Sequence, residues 1–345
     1  MNYKFSIVVA VYNLESLVER CLQSILKQTL RDVQIIIVDD ASTDNSLQIC
    51  QKYSEKDNRV LVIHHEVNSG LSEARNTGLR AAEGEYVFFV DGDDYIMPTL
   101  CQKAYERLET TKSDMVIFEA KYQRTNGKLV DMPIKCSKDH YINEEILDDY
   151  FPEMIGEKPE GESDYAIGFS PWERAYRRKL LIDNNLFFTS ERKIIYEDLM
   201  YALDTCKYLK RISIIHEPLY VYCENNTSLT KKPNVKKYKR IKEMYLYLKS
   251  NEKYHDLLFC KQNVYLRFQR TMLGYIRLCI MQLSNNSEYN REICAIVNDA
   301  VCREVIDNYP IFKLPFKQRI FALFLKKRLW RALYCLSKIY VSSQN

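Results

Sequence analysis

Long hydrophobic runs are the first thing this 345-residue sequence lacks. Its apolar stretches, such as Ile35-Val38 and Tyr86-Val90, fall far short of the roughly 20 residues that a bilayer-crossing helix needs. A spanning segment is therefore not expected. No charged stretch, apolar run and small-residue cleavage site precede the first strand-like segment at Phe5, so no targeting signal is expected either. Histidine is scarce, with five in all, and the adjacent His64 and His65 would point to opposite faces of a strand, where they cannot share one ion. The eleven cysteines are scattered, odd in number and without a CxxC pair, the usage of reduced thiols in a cytosolic protein. These features speak against a zinc site and a disulfide framework. Neither GxGxxG nor GxxxxGK occurs, which removes the dinucleotide and P-loop readings.

What is present begins with charge. Residues 1–230 hold 27 Lys and Arg against 38 Asp and Glu, a balance of −11, whereas residues 231–345 hold 23 against 8, a balance of +15. A division near Thr230 follows, with a basic carboxyl-terminal third that would attract polyanions: nucleic acid, acidic lipid headgroups or a phosphorylated substrate.

The pattern before that division alternates. Lys4-Val11 is an apolar run that reads as a buried parallel strand, and Leu14 to Gln28 carries apolar residues at helical spacing. Val33-Val38 is a second strand, followed by a helix that Ser42 or Asp44 can cap; Val60-His64 is a third, followed by Asn68-Ser69-Gly70 and a helix over about 71–82. Tyr86-Val90 is a fourth. Strands and helices in this order predict βαβ units and a doubly wound, mostly parallel sheet flanked by helices. Later segments include a helix at 99–110, a strand at 114–119, a loop over Gly156-Glu162, a helix near 174–184 and another opening at Glu197-Asp198. From Val235 onward the pattern is helical.

In such sheets ligands bind beyond the carboxyl ends of the strands. Tyr12, Asp39-Asp40, Asn68 and Asp91-Gly92-Asp93-Asp94 all fall on that edge. Two carboxylates one residue apart at a strand end can share a hard divalent cation, Mg²⁺ or Mn²⁺, and the glycine between them is expected to let a ligand's phosphates approach. An isolated acidic turn of this kind more often caps a helix. Its place at the fourth strand end, after three other polar strand ends, favours the metal.

Ser6-Asn13 (SIVVAVYN), Gln34-Ser46 (QIIIVDDASTDNS), Asn68-Gly78 (NSGLSEARNTG) and Gly84-Asp94 (GEYVFFVDGDD) resemble, in order, the signatures of glycosyltransferase family 2, the enzymes of GT-A fold. Pro171-Tyr176, Ile195-Leu199 and Glu217-Tyr222 extend the likeness toward the shorter bacterial members that build surface polysaccharides. The resemblance implies a Rossmann-like GT-A domain over 1–230, with a nucleotide-sugar half at 1–98 and an acceptor half at 99–230, ahead of a basic helical region at 231–345. It implies an inverting transfer from a nucleotide-diphosphate sugar, usually UDP-linked, to a hydroxyl of a glycan or lipid-linked acceptor, with Mg²⁺ or Mn²⁺.

Residue by residue, the resemblance makes Asp93 the metal ligand and gives Asp91 either the ribose or a water-bridged place on the metal. Asp40 would bond the base or ribose, Tyr12 would pack on the base, and the backbone from Ala10 would line that pocket beside Asn68. Arg75 would help hold the diphosphate, with a helix-surface arginine as the plain alternative. Asp198 matches the catalytic base, Glu197 competes with it, and a helix N-terminal acidic pair is the structural alternative. Trp172 would wall the acceptor side or simply fill the core. Cys223-Glu224 stands where relatives often carry a basic residue, leaving Lys231 or Lys232 as substitutes.

Phe316-Tyr340 mixes seven Lys and Arg with an apolar face and reads as one amphipathic helix able to lie in a membrane interface or to pack on the protein. A cytoplasmic protein with peripheral contact at the anionic inner face of the cell membrane is the resulting expectation. No nucleic-acid motif is recognisable. A nucleotidyltransferase and a non-catalytic nucleotide-sugar-binding protein are the alternative functions; the first lacks its usual glycine-rich loop, the second keeps Asp93 and Asp198 without needing them.

Overall fold

Apolar strands covered on both faces read as unbroken hydrophobic runs, and the first two strands do so because every residue in each is buried. The computed structural model describes residues 3–163, 166–225, 234–284 and 287–342. It divides into two units, Met1–Tyr150 with Phe169–Asn225, and Phe151–Gly168 with Asn226–Asn345.

The first unit opens with β1 (Phe5–Val11), α1 (Val18–Leu26), β2 (Val33–Asp39), α2 (Ser46–Ser54), β3 (Val60–His64), α3 (Leu71–Ala81) and β4 (Tyr86–Asp91). Then come β5 (Tyr95–Ile96), α4 (Leu100–Thr111), β6 (Met115–Gln123), β7 (Leu129–Met132) and β8 (His140–Ile142). After α5 (Phe151–Ile155), which belongs to the second unit, the first unit resumes with β9 (Arg174–Arg177), α6 (Arg178–Asp183), α7 (Glu197–Cys206) and β10 (Arg211–Cys223). The strands form one sheet in the order β3-β2-β1-β4-β9-β6-β10-β5, with β7 on β6 and β8 on β10. Pairing is parallel through β3, β2, β1 and β4 and again between β6 and β10. The chain order reverses between β1 and β4, so the crevice at their carboxyl ends is where a doubly wound sheet takes its ligand.

Two local expectations change. The helix expected near 174–184 is the four-residue strand β9 followed by the short α6, because Ala175 and Tyr176 are drawn into antiparallel pairing between β4 and β6. That tertiary pairing overrides the local pattern. Helix α1 starts at Val18 rather than Leu14, because the N–H groups of Leu14 and Glu15 donate to Ser46 Oγ (2.7 Å) and Asp44 Oδ2 (3.0 Å).

The second unit holds α5 and α8 (Lys236–Ser250), α9 (Glu252–Leu258), α10 (Gln262–Leu283), α11 (Asn290–Asn298), α12 (Ala300–Asp307), α13 (Phe316–Lys326) and α14 (Trp330–Ser342). The loop over Gly156-Glu162 is tied to α10, where Arg267 donates to the Gly156 carbonyl at 2.8 Å and Arg270 to that of Gly161 at 3.1 Å. The single helix expected over 316–340 is two. Arg328 takes φ 57° and the Leu329 N–H reaches back to the Phe324 carbonyl at 2.9 Å, the six-to-one bond of a Schellman ending. Among the described residues no helix is long and apolar enough to cross a membrane.

Candidate functional site

The loops after β1 and β2 are laced together. Asn13 N donates to Ser42 Oγ at 3.0 Å, Thr43 N to Asn13 Oδ1 at 2.8 Å, and Asn45 N to Glu15 Oε2 at 3.0 Å. This lacing holds Tyr12, just past Ala10 and Val11, as a half-exposed ring on the ligand edge of the sheet.

The aspartate pair after β2 splits its duties. Asp40 is buried with both oxygens taken: Oδ1 accepts from Ser69 N at 2.8 Å and lies 2.7 Å from His65 Nδ1, and Oδ2 accepts from Gly70 N at 2.8 Å. It anchors the turn that starts α3, where Gly70 takes φ 96°, a conformation that favours glycine. Asn68 is likewise engaged, donating to the Asp40 carbonyl at 3.1 Å and accepting from Arg192. Asp39 differs: Oδ2 lies 2.9 Å from His64 Nδ1, while its buried Oδ1 has no hydrogen-bond partner among the described residues. The role expected of Asp40 thus suits its neighbour better: the doublet is visible in sequence, but which member is left with an idle acceptor is not. The two adjacent histidines do face apart, each toward its own aspartate.

At the end of β4 the acidic turn is fastened by residues from elsewhere. Asp94 is fully buried, accepting from Tyr220 Oη at 2.6 Å and Cys223 N at 2.7 Å. Arg20 donates to the Asp93 carbonyl at 2.5 Å, and Asn225 Nδ2 to Asp93 Oδ2 at 3.2 Å. Arg20, Tyr220 and Asn225 are site residues that no spacing rule could have singled out. The reason for Gly92 also differs from the expected phosphate approach: a Cβ there would come within 2.8 Å of both the Ala10 carbonyl oxygen and Leu14 Cδ1. The turn packs against the end of β1, and glycine makes that possible.

Arg75, on α3, is buried rather than on the helix surface. Its Nη2 donates to Asp91 Oδ1 at 2.9 Å and its Nη1 to Asp198 Oδ1 at 2.8 Å, with Glu197 Oε1 at 3.7 Å and the Phe188 ring beneath it at 5.2 Å. The guanidinium thus joins the strand-end carboxylate to the acidic pair that opens α7. Tyr196, at the N-cap of that helix, is left-handed with φ 62°. Asp198 is the more open of the pair, its side chain 26% exposed against 15% for Glu197. Burial pushes the carboxyl of Asp198 up, Arg75 pulls it back and Asp91 adds to the rise. Glu197 is raised by burial and by Asp198.

Trp172 lies in the core, stacked on Tyr220 at 4.7 Å and Tyr222 at 5.5 Å. Cys223 spends its N–H on Asp94, and Glu224 Oε2 accepts from Thr125 N at 3.0 Å. Lys231 and Lys232 lie outside the described residues.

The donor set fits a hard divalent ion. Arg75 takes Oδ1 of Asp91 and Asn225 takes Oδ2 of Asp93, each side chain bonding a single oxygen of its carboxylate. The carboxyl of Asp93 is raised, first by burial and then by the charge of Asp91. Such oxygens suit Mg²⁺ or Mn²⁺. A separate trio, His255, Asp256 and Cys260, brings ligand atoms within 4.8 Å of one another in the helical unit; its successive members are one and four residues apart, a spacing that the scatter of the cysteines does not suggest.

A model of the family described as glycosyl transferase family 2 matches residues 6–214. The chain belongs to glycosyl transferase family 2. Within it, the chain is 35% identical over 228 residues to the uncharacterized glycosyltransferase EpsJ of Bacillus subtilis, covering 66% of this chain and 63% of EpsJ. It is 33% identical over 222 residues to the poly(ribitol-phosphate) beta-N-acetylglucosaminyltransferase TarS of Staphylococcus aureus, covering 64% of this chain and 35% of TarS. The match thus spans less than two thirds of the length of these relatives. In fold, the family member resembles the crystal structure of S. aureus TarS 1–349 in complex with UDP-GlcNAc, at TM-score 0.64 and 22% identity over 99% of this chain and 92% of that one. The mannosyltransferase PcManGT from Pyrobaculum calidifontis, in complex with GDP-Man and Mn²⁺, is a more distant likeness, at TM-score 0.54 and 14% identity over 98% and 87%. Both place the chain in the GT-A architecture.

Proposed function

We propose that the protein is an inverting glycosyltransferase that moves a sugar from a UDP-linked donor to a hydroxyl of a glycan or lipid-linked acceptor in polysaccharide assembly. The observation that carries this reading is the guanidinium of Arg75 joining Asp91 to Asp198. Bridged in this way, Asp91 would lie on the diphosphate side and Asp198 on the acceptor side of one sugar, as an in-line displacement requires.

The donor's base would rest on Tyr12, whose ring stands open at the strand edge, and the idle Oδ1 of Asp39 offers an acceptor to an N–H of the base. Asp91 and Asp93 would hold Mg²⁺ or Mn²⁺, which when bound neutralises charge on the diphosphate. Asp198 would take the proton of the acceptor hydroxyl as that oxygen bonds to the anomeric carbon and the bond from this carbon to the diphosphate breaks, its electron pair leaving with the nucleotide. Arg75 opposes the burial that raises the carboxyl of Asp198, and its bond to Oδ1 leaves the other oxygen of Asp198 for the acceptor. Relatives named for transfer to poly(ribitol-phosphate) and a fold-neighbour holding UDP-GlcNAc support a UDP donor and a polymeric acceptor.

The test is a thermal-shift screen of UDP-, GDP- and dTDP-sugars with and without Mn²⁺, followed by assay of nucleotide release. A UDP-sugar should raise the melting temperature in a metal-dependent way, since bound ligand stabilises by mass action. Absence of any stabilising nucleotide sugar would sink the reading.

A further inference from the structure

Phe312 and Phe316 are the most exposed large apolar side chains among the described residues, at 73% and 72%. They are not loose ends. Phe312 sits in a single 3₁₀ turn, Ile311–Lys313, whose Ile311 is buried, as is the following Leu314. Pro315 then caps α13, and Arg319 donates from Nε (3.0 Å) and Nη2 (2.9 Å) to the Leu314 carbonyl. A turn fixed from behind in this way holds its two aromatic rings outward.

Each phenylalanine is followed by an exposed lysine, Lys313 and Lys317. Residues 308–345 contain eight Lys and Arg and no Asp or Glu. Lys313 reaches Glu160 at 3.2 Å, but both partners are more than half exposed, and such pairs contribute little and exchange readily. Paired exposed rings in a strongly basic setting match an anionic bilayer surface: the rings gain by entering the boundary between headgroups and acyl chains, and lysine stems reach back from that depth to the headgroup charges.

The continuous interfacial helix expected over 316–340 does not serve this purpose. The apolar face of α13 is spent inside the unit, with Phe321, Ala322 and Leu325 buried, and the chain breaks at Arg328. The turn before the helix carries the most exposed rings, with Leu329 and Ile339 also outward farther along.

We propose that the Phe312–Lys317 turn is a membrane-docking element, with Phe312 and Phe316 entering an anionic lipid surface and Lys313, Lys317 and the basic residues of the last two helices meeting its headgroups. The docking stands apart from the transfer chemistry, so either can fail without the other.

The experiment is cosedimentation of the full chain with phosphatidylcholine vesicles, with and without phosphatidylserine. The wild type should sediment with the phosphatidylserine vesicles, and the double substitution Phe312→Ser, Phe316→Ser should weaken partitioning on the order of tenfold or more while leaving the melting temperature unchanged. Lys317→Gln should weaken it less and make it less sensitive to salt. Wild-type protein that stays in the supernatant overturns the proposal. So does a double-serine variant that sediments like wild type, because binding would then be charge alone. Retarding a random oligonucleotide in a gel, with loss of that binding in the serine variant and no vesicle binding, would assign the turn to nucleic acid instead.

Discussion

Arg75 holds Asp91 with one terminal nitrogen and Asp198 with the other, at 2.9 and 2.8 Å. A planar guanidinium can span two carboxylates in this way; an ammonium is a point charge and serves one of them well.

Arg75→Met is therefore expected to cost about 3 kcal/mol of stability, because removing one partner leaves partly buried carboxylates facing each other. Arg75→Lys should recover much of the stability and little of the activity. Melting curves beside nucleotide-release rates check this. Equal activity in the lysine variant and the wild type would remove the bridging role.

Asp198→Asn should lower the transfer rate by roughly 10²- to 10⁴-fold, the usual worth of a positioned base, while the thermal shift with a nucleotide sugar persists. Glu197→Gln should lose much less, since its carboxylate is more buried and farther from Arg75. In the wild type, kcat/KM should fall as pH drops through the titration of Asp198, which burial raises from its ordinary value. The reverse ranking of the two variants would move the base to Glu197.

Asp93→Asn should abolish the Mn²⁺-dependent part of the thermal shift with UDP. In the wild type that increment should shrink as the solution is acidified, because protons compete with the metal for a carboxyl whose affinity for them is already raised. Titrating Mn²⁺ at several pH values checks the direction, and an increment that grew on acidification would refute it.

Glu173 is buried beside Arg174 and pushed up to about 7 by that burial, which Arg174 only partly offsets. The folded protein thus binds this proton more tightly than the unfolded chain. Between the ordinary glutamate range and about pH 7, folding takes up a proton, so stability is greatest at the acidic end of this window and declines as pH rises through it. Glu173→Gln should flatten that decline, by roughly 1–3 kcal/mol across the window. Denaturant midpoints at several pH values measure it.

The parallel half of the sheet was legible because its strands are buried on both faces and its helices carry one apolar stripe each. β9 was not, because four residues containing two arginines show no strand pattern until they are seen between β4 and β6. Within the candidate site, the acidic residues could be named from motif and position. Their partners could not: Arg75 meets Asp198 across 123 positions of sequence, and Tyr220 meets Asp94 across 126. Such pairs are set by tertiary packing. The break at Arg328 is hidden in the sequence for another reason, since a left-handed helix ending usually advertises itself with glycine or asparagine and here uses arginine.

The acidic turn is clamped from several sides: Tyr95 and Ile96 pair with Val221 and Tyr220, and Asp94 is bonded to both the hydroxyl of Tyr220 and the backbone of Cys223. A ligand arriving at Asp91 and Asp93 would meet oxygens whose places were set when β10 folded, so little ordering is left to occur on binding. Damage to the far strand should then be felt as poorer catalysis even where no substrate touches it. Tyr220 works on the acidic turn as a keystone works on an arch, carrying no traffic itself.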